Sequence, residues 1–576
     1  MKIQLIPLFF LLILMPLANL FAQIAIPKDY FSSPLSIGLV VTGSFSEVRP
    51  NHFHSGTDFS VQKKEGLPVF AVADGLISRI KVSPFGFGNA LYIDHPNGFT
   101  SVYAHLKGYS DTISEYLRTN QYKLKSFEVD LFPINKKEFI SVKKGQLIGY
   151  TGNSGSSGGA HLHFELRNTK TEHIVNPLVY GFQLHDIYPP LIDFIKIYPE
   201  DNNSYIGPTN EAIRFNLKKS GTGEYRLATK DTLSLWGNFS FGAQAFDFNQ
   251  NQSDRNGFYS MKMFADKANF FTMVCDSFSF AESRYVNASI DYIANYNADN
   301  RIVKSKKLPG NKLSFFKSDT ANGILKFTDE NLHEIIISVA DQAGNTSNLR
   351  FWVRSRKPEG FMQIPVVPIS DTTVAFRYYR KNKFENTDLK VEIPTGCLYE
   401  NIIFRYRKAA GAANMFSEIH YLHDPVVPLQ SKIRVSVKAT KVPQNLRNKV
   451  LLVRIDRDGH RSPAGGSYEN GYVTATTNQF DGYAIVVDTI PPVIRPSAEN
   501  IKSKTSLKFT VSDNFSGIST YKGEVNGQWV LVEWDPKYKL MIYRFDKVAQ
   551  PGKNTFTLNL EDEKGNKSSY SAVFTK

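Results

Sequence analysis

Cysteine is almost missing from this chain: Cys275 and Cys397 are the only two in 576 residues. That excludes a disulfide-stapled scaffold and any cysteine-rich zinc module. Sustained helical periodicity is scarce too, and no apolar run beyond the first residues approaches a membrane span. Glycine (38) and proline (28) are too few for a collagen-like chain. With 42% hydrophobic and 13% aromatic residues the chain is not disordered by composition. The net charge of +14 invites a nucleic-acid reading, but residues 23–188 hold 16 basic against 14 acidic side chains. The excess therefore lies downstream, without a nucleic-acid-binding motif. It reads as a solvated surface, or as attraction to anionic envelope polymers.

What is present begins with Met1-Lys2, an apolar run from Ile3 to Leu17, and small residues up to Ala22. This is the layout of a secretory signal peptide over 1–22, with an uncleaved membrane anchor as the alternative. The chain is expected to be exported, to the periplasm or cell envelope, and no nucleic-acid partner fits that address.

The remainder reads as mainly β: short runs rich in Val, Ile, Phe, Tyr and Thr between Gly, Asn, Asp and Pro turns. Asp-x-x-Pro-Pro-x-Ile occurs at Asp186–Ile192 and again at Asp488–Ile494, and a Pro pair suits a linker entering a first strand. Asp-x-x-x-Asn-x-Ser occurs at Asp247/Asn251/Ser253, Asp341/Asn345/Ser347 and Asp562/Asn566/Ser568. Asp and Asn that bond their own backbone beside a permissive Gly make a tight hairpin turn; calcium ligation is the other reading. These repeats predict β-sandwich modules at 189–265 and 266–357, a β-rich domain of uncertain type at 358–488, and a last module at 489–576. They resemble the immunoglobulin-like modules of exported bacterial proteins.

Eight of the 12 histidines precede residue 186. His54-Ser55-Gly56-Thr57-Asp58 places two metal-ligand types around a glycine that lets the backbone bend. His161-Leu162-His163 lies in an apolar, strand-like run, where residues i and i+2 share a face. His105 stands between them in Tyr103-Ala104-His105-Leu106. Two imidazoles and one carboxylate make a three-ligand site that leaves a fourth position open, the layout of catalytic zinc.

These elements, in this order, resemble the LytM/lysostaphin-type zinc metallopeptidases, which cut peptide cross-links of the cell wall. Val69–Gly75, Gly86–Asn89, Tyr92–His95, Val142–Gly149, Thr151–Gly155 and Val175-Asn176-Pro177 extend the likeness over about 36–180. The resemblance implies an antiparallel β peptidase domain within 23–188. It implies Zn2+ held by His54, Asp58 and His163, with His105 and His161 as the catalytic pair and peptidoglycan peptides as substrate. One histidine would be the general base and the other would steady the oxyanion; which does which stays open. An insertion of about 107–141 reads as a lid or docking surface, or as a surface excursion. A second function class is a catalytically silent envelope protein that activates a cell-wall amidase; such relatives of the family lack ligands, whereas all five positions are filled here. A third is an adhesion or scaffold protein in which the β modules dominate and the peptidase domain is inherited. Envelope proteins are expected partners of the C-terminal modules.

Overall fold

The computed structural model describes residues 29–576 apart from 137, 183, 185, 249–253, 299, 359–372 and 502–503. The expected signal peptide, and Asn251 and Ser253 of the first hairpin repeat, lie outside the described residues. The fold is mainly β, as the composition predicts.

The first domain is built on an antiparallel sheet. Its strands are β1 (Val41–Gly43), β2 (Thr57–Ser60), β3 (Gly75–Val82), β4 (Asn89–Asp94), β5 (Phe99–Ala104), β6 (Val129–Leu131) and β7 (His161–Asn168). Their order across the sheet is β1-β2-β7-β5-β4-β3-β6. Alternation along β7 decides its placement. Leu162, Phe164 and Leu166 point into a core with Phe59, Leu91, Ile93 and Tyr103, all fully buried. Each such side chain contributes roughly 1.5–3 kcal/mol of apolar burial. The same alternation sends His161, His163, Glu165 and Arg167 to the opposite face. That face carries a smaller apolar floor of Ala90, Tyr92, Val102 and Ala104.

The insertion after His105 is structured. It holds α1 (Asp111–Leu124) and then β6, which pairs with β3 and widens the sheet by one edge strand.

Residues 191–355 form one unit, and this corrects the expected division at 265/266. β8 (Ser260–Ala265) and β9 (Ala268–Val274) are the two arms of one hairpin across that point. β10 (Leu332–Ala340) then returns to pair with β8, and a single core runs through the whole segment. The repeat at Asp247 thus falls mid-unit. The turn at Asp266-Lys267 is left-handed without a glycine, so it gave no hairpin signal in sequence. Phe45 and Phe53 of the first domain insert into the same core.

Residues 373–487 and 493–575 each fold as two sheets over a shared core. Both Pro-Pro linkers lead directly into a strand, at Leu191 and Val493. No helix among the described residues is long and apolar enough to cross a membrane.

Candidate metal centre

The register of the central strands assembles the site. His163 on β7 stands opposite Asp58 on β2 and Ala104 on β5, one residue before His105. His54 reaches the same point from the turn before β2. The ligand atoms form a tight triangle: His54 Nε2 to His163 Nδ1 is 3.0 Å, and Asp58 Oδ1 lies 3.1 Å from the first and 2.9 Å from the second. Ligands about 2.0–2.1 Å from a tetrahedral zinc ion stand about 3.4 Å apart, so this triangle needs little adjustment. All three side chains are buried.

Each ligand is aimed by a second contact. His54 donates its Nδ1–H to the Ser44 carbonyl at 2.8 Å, which leaves the Nε2 lone pair facing inward. His163 turns Nε2 to Glu165 Oε1 at 3.1 Å and so presents Nδ1 to the centre. Glu165 is fully buried and bonded by Arg167 Nε at 2.7 Å. Arg49 Nη2 donates to Asp58 Oδ2 at 2.9 Å, which leaves Oδ1 for the centre. Sequence reasoning gave no role to Arg49, Glu165 or Arg167. Glu165 and Arg167 were findable, because they continue the i, i+2 face that groups His161 with His163.

Two glycines permit this approach, though not by bending. A Cβ on Gly56 would stand 2.8 Å from the His163 ring, and one on Gly43 would stand 2.6 Å from Asp58 Oδ2. Neither glycine has a left-handed φ. The flexibility expected of Gly56 is therefore a need for close approach.

His105 and His161 flank the triangle, with ring centroids 4.9 Å apart. His105 donates Nδ1–H to Ser154 O at 2.9 Å, and His161 donates Nδ1–H to Gly159 O at 2.9 Å. A carbonyl only accepts, so both rings carry the proton on Nδ1 and point Nε2 inward. His161 Nε2 is 3.3 Å from Asp58 Oδ1, and its side chain, at 18% exposed, is the most open of the five. His105 sits in the left-handed region at φ 58°, which costs a non-glycine residue roughly 1–2 kcal/mol.

The electrostatics match a cation site. Burial and the neighbouring His163 and His161 push His105 down to about 3, so it is neutral at neutral pH. Burial opposes charge on His163 as well, but hydrogen bonds to Asp58 and Glu165 prevail and raise it to about 9. Burial likewise opposes ionised Asp58, yet His54, His161 and His163 hold its carboxyl well below the ordinary range. A positive charge is wanted at the triangle, and two imidazoles with a carboxylate are the donor set that zinc takes.

All five residues expected from sequence thus meet at one point. Residues 52–122 and 125–177 match the model of Peptidase family M23, and residues 373–488 match a Zu5-like domain. The chain is 33% identical over 114 residues to the DD-carboxypeptidase/endopeptidase Mpg of Neisseria meningitidis serogroup B, covering 20% of each chain. It is 31% identical over 113 residues to the peptidoglycan DD-endopeptidase ShyA of Vibrio cholerae, again covering 20% of each. The alignments thus span about a fifth of those relatives' length. The solved catalytic domain of lysostaphin from Staphylococcus simulans is 23% identical, covering 24% of this chain and 90% of that one, with a TM-score of 0.18. The N-terminal part of this chain is a LytM-type domain of Peptidase family M23.

Proposed function

We propose that this chain is an exported zinc-dependent endopeptidase that hydrolyses peptide cross-links of peptidoglycan. The observation that carries the reading is the triangle of His54, Asp58 and His163, with two further histidines presenting Nε2 beside it. The names of the relatives supply the substrate class.

Zinc bound there would supply a polarising charge for the scissile carbonyl and lower the pKa of a water to about 7. The chain's own groups do the rest. The Nδ1 proton of His105 is committed to Ser154, so the lone pair is on Nε2, which can take a proton from the attacking water. His161 sits at the open edge with Nε2 inward, in the place from which a side chain steadies the developing oxyanion. Arg49 and Glu165 hold the metal ligands in orientation throughout.

The test separates binding from chemistry. His105→Ala and His161→Ala are expected to keep stoichiometric zinc while losing roughly 100-fold or more in kcat. His54→Ala and Asp58→Ala are expected to lose zinc and activity together. If His105→Ala turns over like the parent chain, the assignment of roles is wrong.

A further inference from the structure

Outside the peptidase site, the two repeats singled out in the sequence meet in space. In the second unit the linker residue Asp186 and the hairpin residue Asp341 are joined by Asn345, whose Nδ2 donates to Asp186 O at 3.2 Å and to Asp341 Oδ2 at 2.8 Å. In the last domain Asn566 joins Asp488 O and Asp562 Oδ2 in the same way, at 3.0 and 2.7 Å. A third aspartate completes each group, Asp247 in one and Asp513 in the other, with carboxylate oxygens within 4.8 Å of one another.

The two groups differ in how that charge is met. The hairpins read Asp341-Gln-Ala343-Gly and Asp562-Glu-Lys564-Gly. Lys564, anchored on the Gly466 carbonyl at 2.6 Å, brings a positive charge near Glu563, Asp488 and Asp562 without pairing directly with any of them. Ala343 stands at the matching place in the first group and brings none. There the charges that bear on Asp247 are those of Asp186 and Asp341, and burial first, then this repulsion, pushes its carboxyl up to about 8.

A second observation, independent of the acidic cluster, points to a ligand. Asn256 stands opposite Asp247 in register and is 3% exposed, yet its Oδ1 has no hydrogen-bond partner; neither has Asp247 Oδ1. Asn256, Asp247 and Asp186 line one cavity of about 40 Å3. That volume exceeds the roughly 10–15 Å3 needed for one small occupant. Carboxylate and amide oxygens are hard ligands, and oxygens at roughly 2.3–2.6 Å from calcium fall within about 5 Å of one another.

We infer that Asp186, Asp247, Asp341 and Asn256 bind a calcium ion at the junction of the peptidase domain and the unit that follows. The junction also reaches the catalytic centre. Val41 and Ser44 line the same cavity; Ser44 Oγ accepts from Gly257 N at 2.8 Å, and Ser44 O accepts from His54. Gly43 pairs with Asp58. This link to the peptidase site rests on the proposed function; calcium binding does not.

The test is calorimetric titration of CaCl2 into the zinc-loaded full chain, freed of other divalent ions. One calcium per chain is expected. Asp247→Asn should weaken binding at least about tenfold, while Asp513→Asn leaves it within twofold. Ala343→Lys should abolish calcium uptake and raise the melting temperature of the calcium-free chain; this variant keeps the test valid should Asp247→Asn misfold. No uptake at millimolar calcium would overturn the inference. So would binding that survives both Asp247→Asn and Ala343→Lys, or binding lost with Asp513→Asn. Peptidoglycan hydrolysis is read separately, so an inactive chain that still binds calcium rejects the peptidase reading alone.

Discussion

Asp58 gathers the site around one oxygen: Oδ1 faces His54, His161 and His163, while Oδ2 is held by Arg49. The aiming residues are as telling as the ligands. Glu165→Gln removes the charge behind His163, so zinc affinity is expected to fall by about 10–100-fold, measured by competition with a chelating dye. Turnover should recover when zinc is supplied in excess. The pH dependence follows from the sign of one shift. His163 in the metal-free site is raised to about 9, so at neutral pH zinc uptake must expel its proton. Zinc affinity should therefore rise about tenfold per pH unit between pH 7 and 9 and then level off. An affinity flat over that range would contradict the description of the site.

Among the elements, β7 shows what is legible in sequence and why. Strict alternation over the seven residues His161–Arg167 places three apolar side chains in the core and four polar ones on the groove face. The pairing of His161 with His163 follows from that period alone. Its extension to Glu165 and Arg167 lies in the same pattern, yet it gains meaning only when burial is known. A carboxylate and a guanidinium on a strand read as solvated until the strand proves central. Here Glu165 is fully buried and Arg167 is its ion-pair partner, so Arg167→Ala strips a buried carboxylate of its guanidinium. The expected cost is about 3–5 kcal/mol by denaturant unfolding, against about 0–1 kcal/mol were the pair exposed. The unit at 191–355 was less legible. Its strands pair across long sequence separations, and the local repeat at Asp247 resembles a module end while lying midway along a single unit. Local turn chemistry marks where a chain reverses, not where a core closes.

At the scale of the whole molecule, the last domain returns to the first. Tyr122 and Arg118 of α1 contact Asp546, and the Tyr122 ring packs edge-on against Trp529 at 5.2 Å. The insertion thus meets the last domain along its helix. Lys537 bonds the carbonyl of Asn153, and Asn153 Nδ2 donates to Tyr538 at 3.3 Å. These contacts fall on the Gly/Ser loop whose Ser154 and Gly159 carbonyls orient the two outer histidines. Beside it, Lys107, Asn153 and Ser154 face Trp534 and Tyr538 across a cleft of about 730 Å3, a size that accepts a peptide segment. Trp534→Ala is accordingly expected to raise KM for cross-linked peptides by roughly 5–10-fold, with zinc content unchanged. Equal KM values would assign the last domain a role away from substrate.

Zinc-dependent cleavage is tested most directly by digestion of purified peptidoglycan by residues 23–576 beside the Asp58→Ala chain, with released fragments weighed by mass spectrometry. The parent chain is expected to open peptide cross-links, and the variant, depleted of zinc, to open none. The fragment masses then name the bond. Intact cross-links with a fully zinc-loaded parent chain would contradict zinc-dependent cleavage.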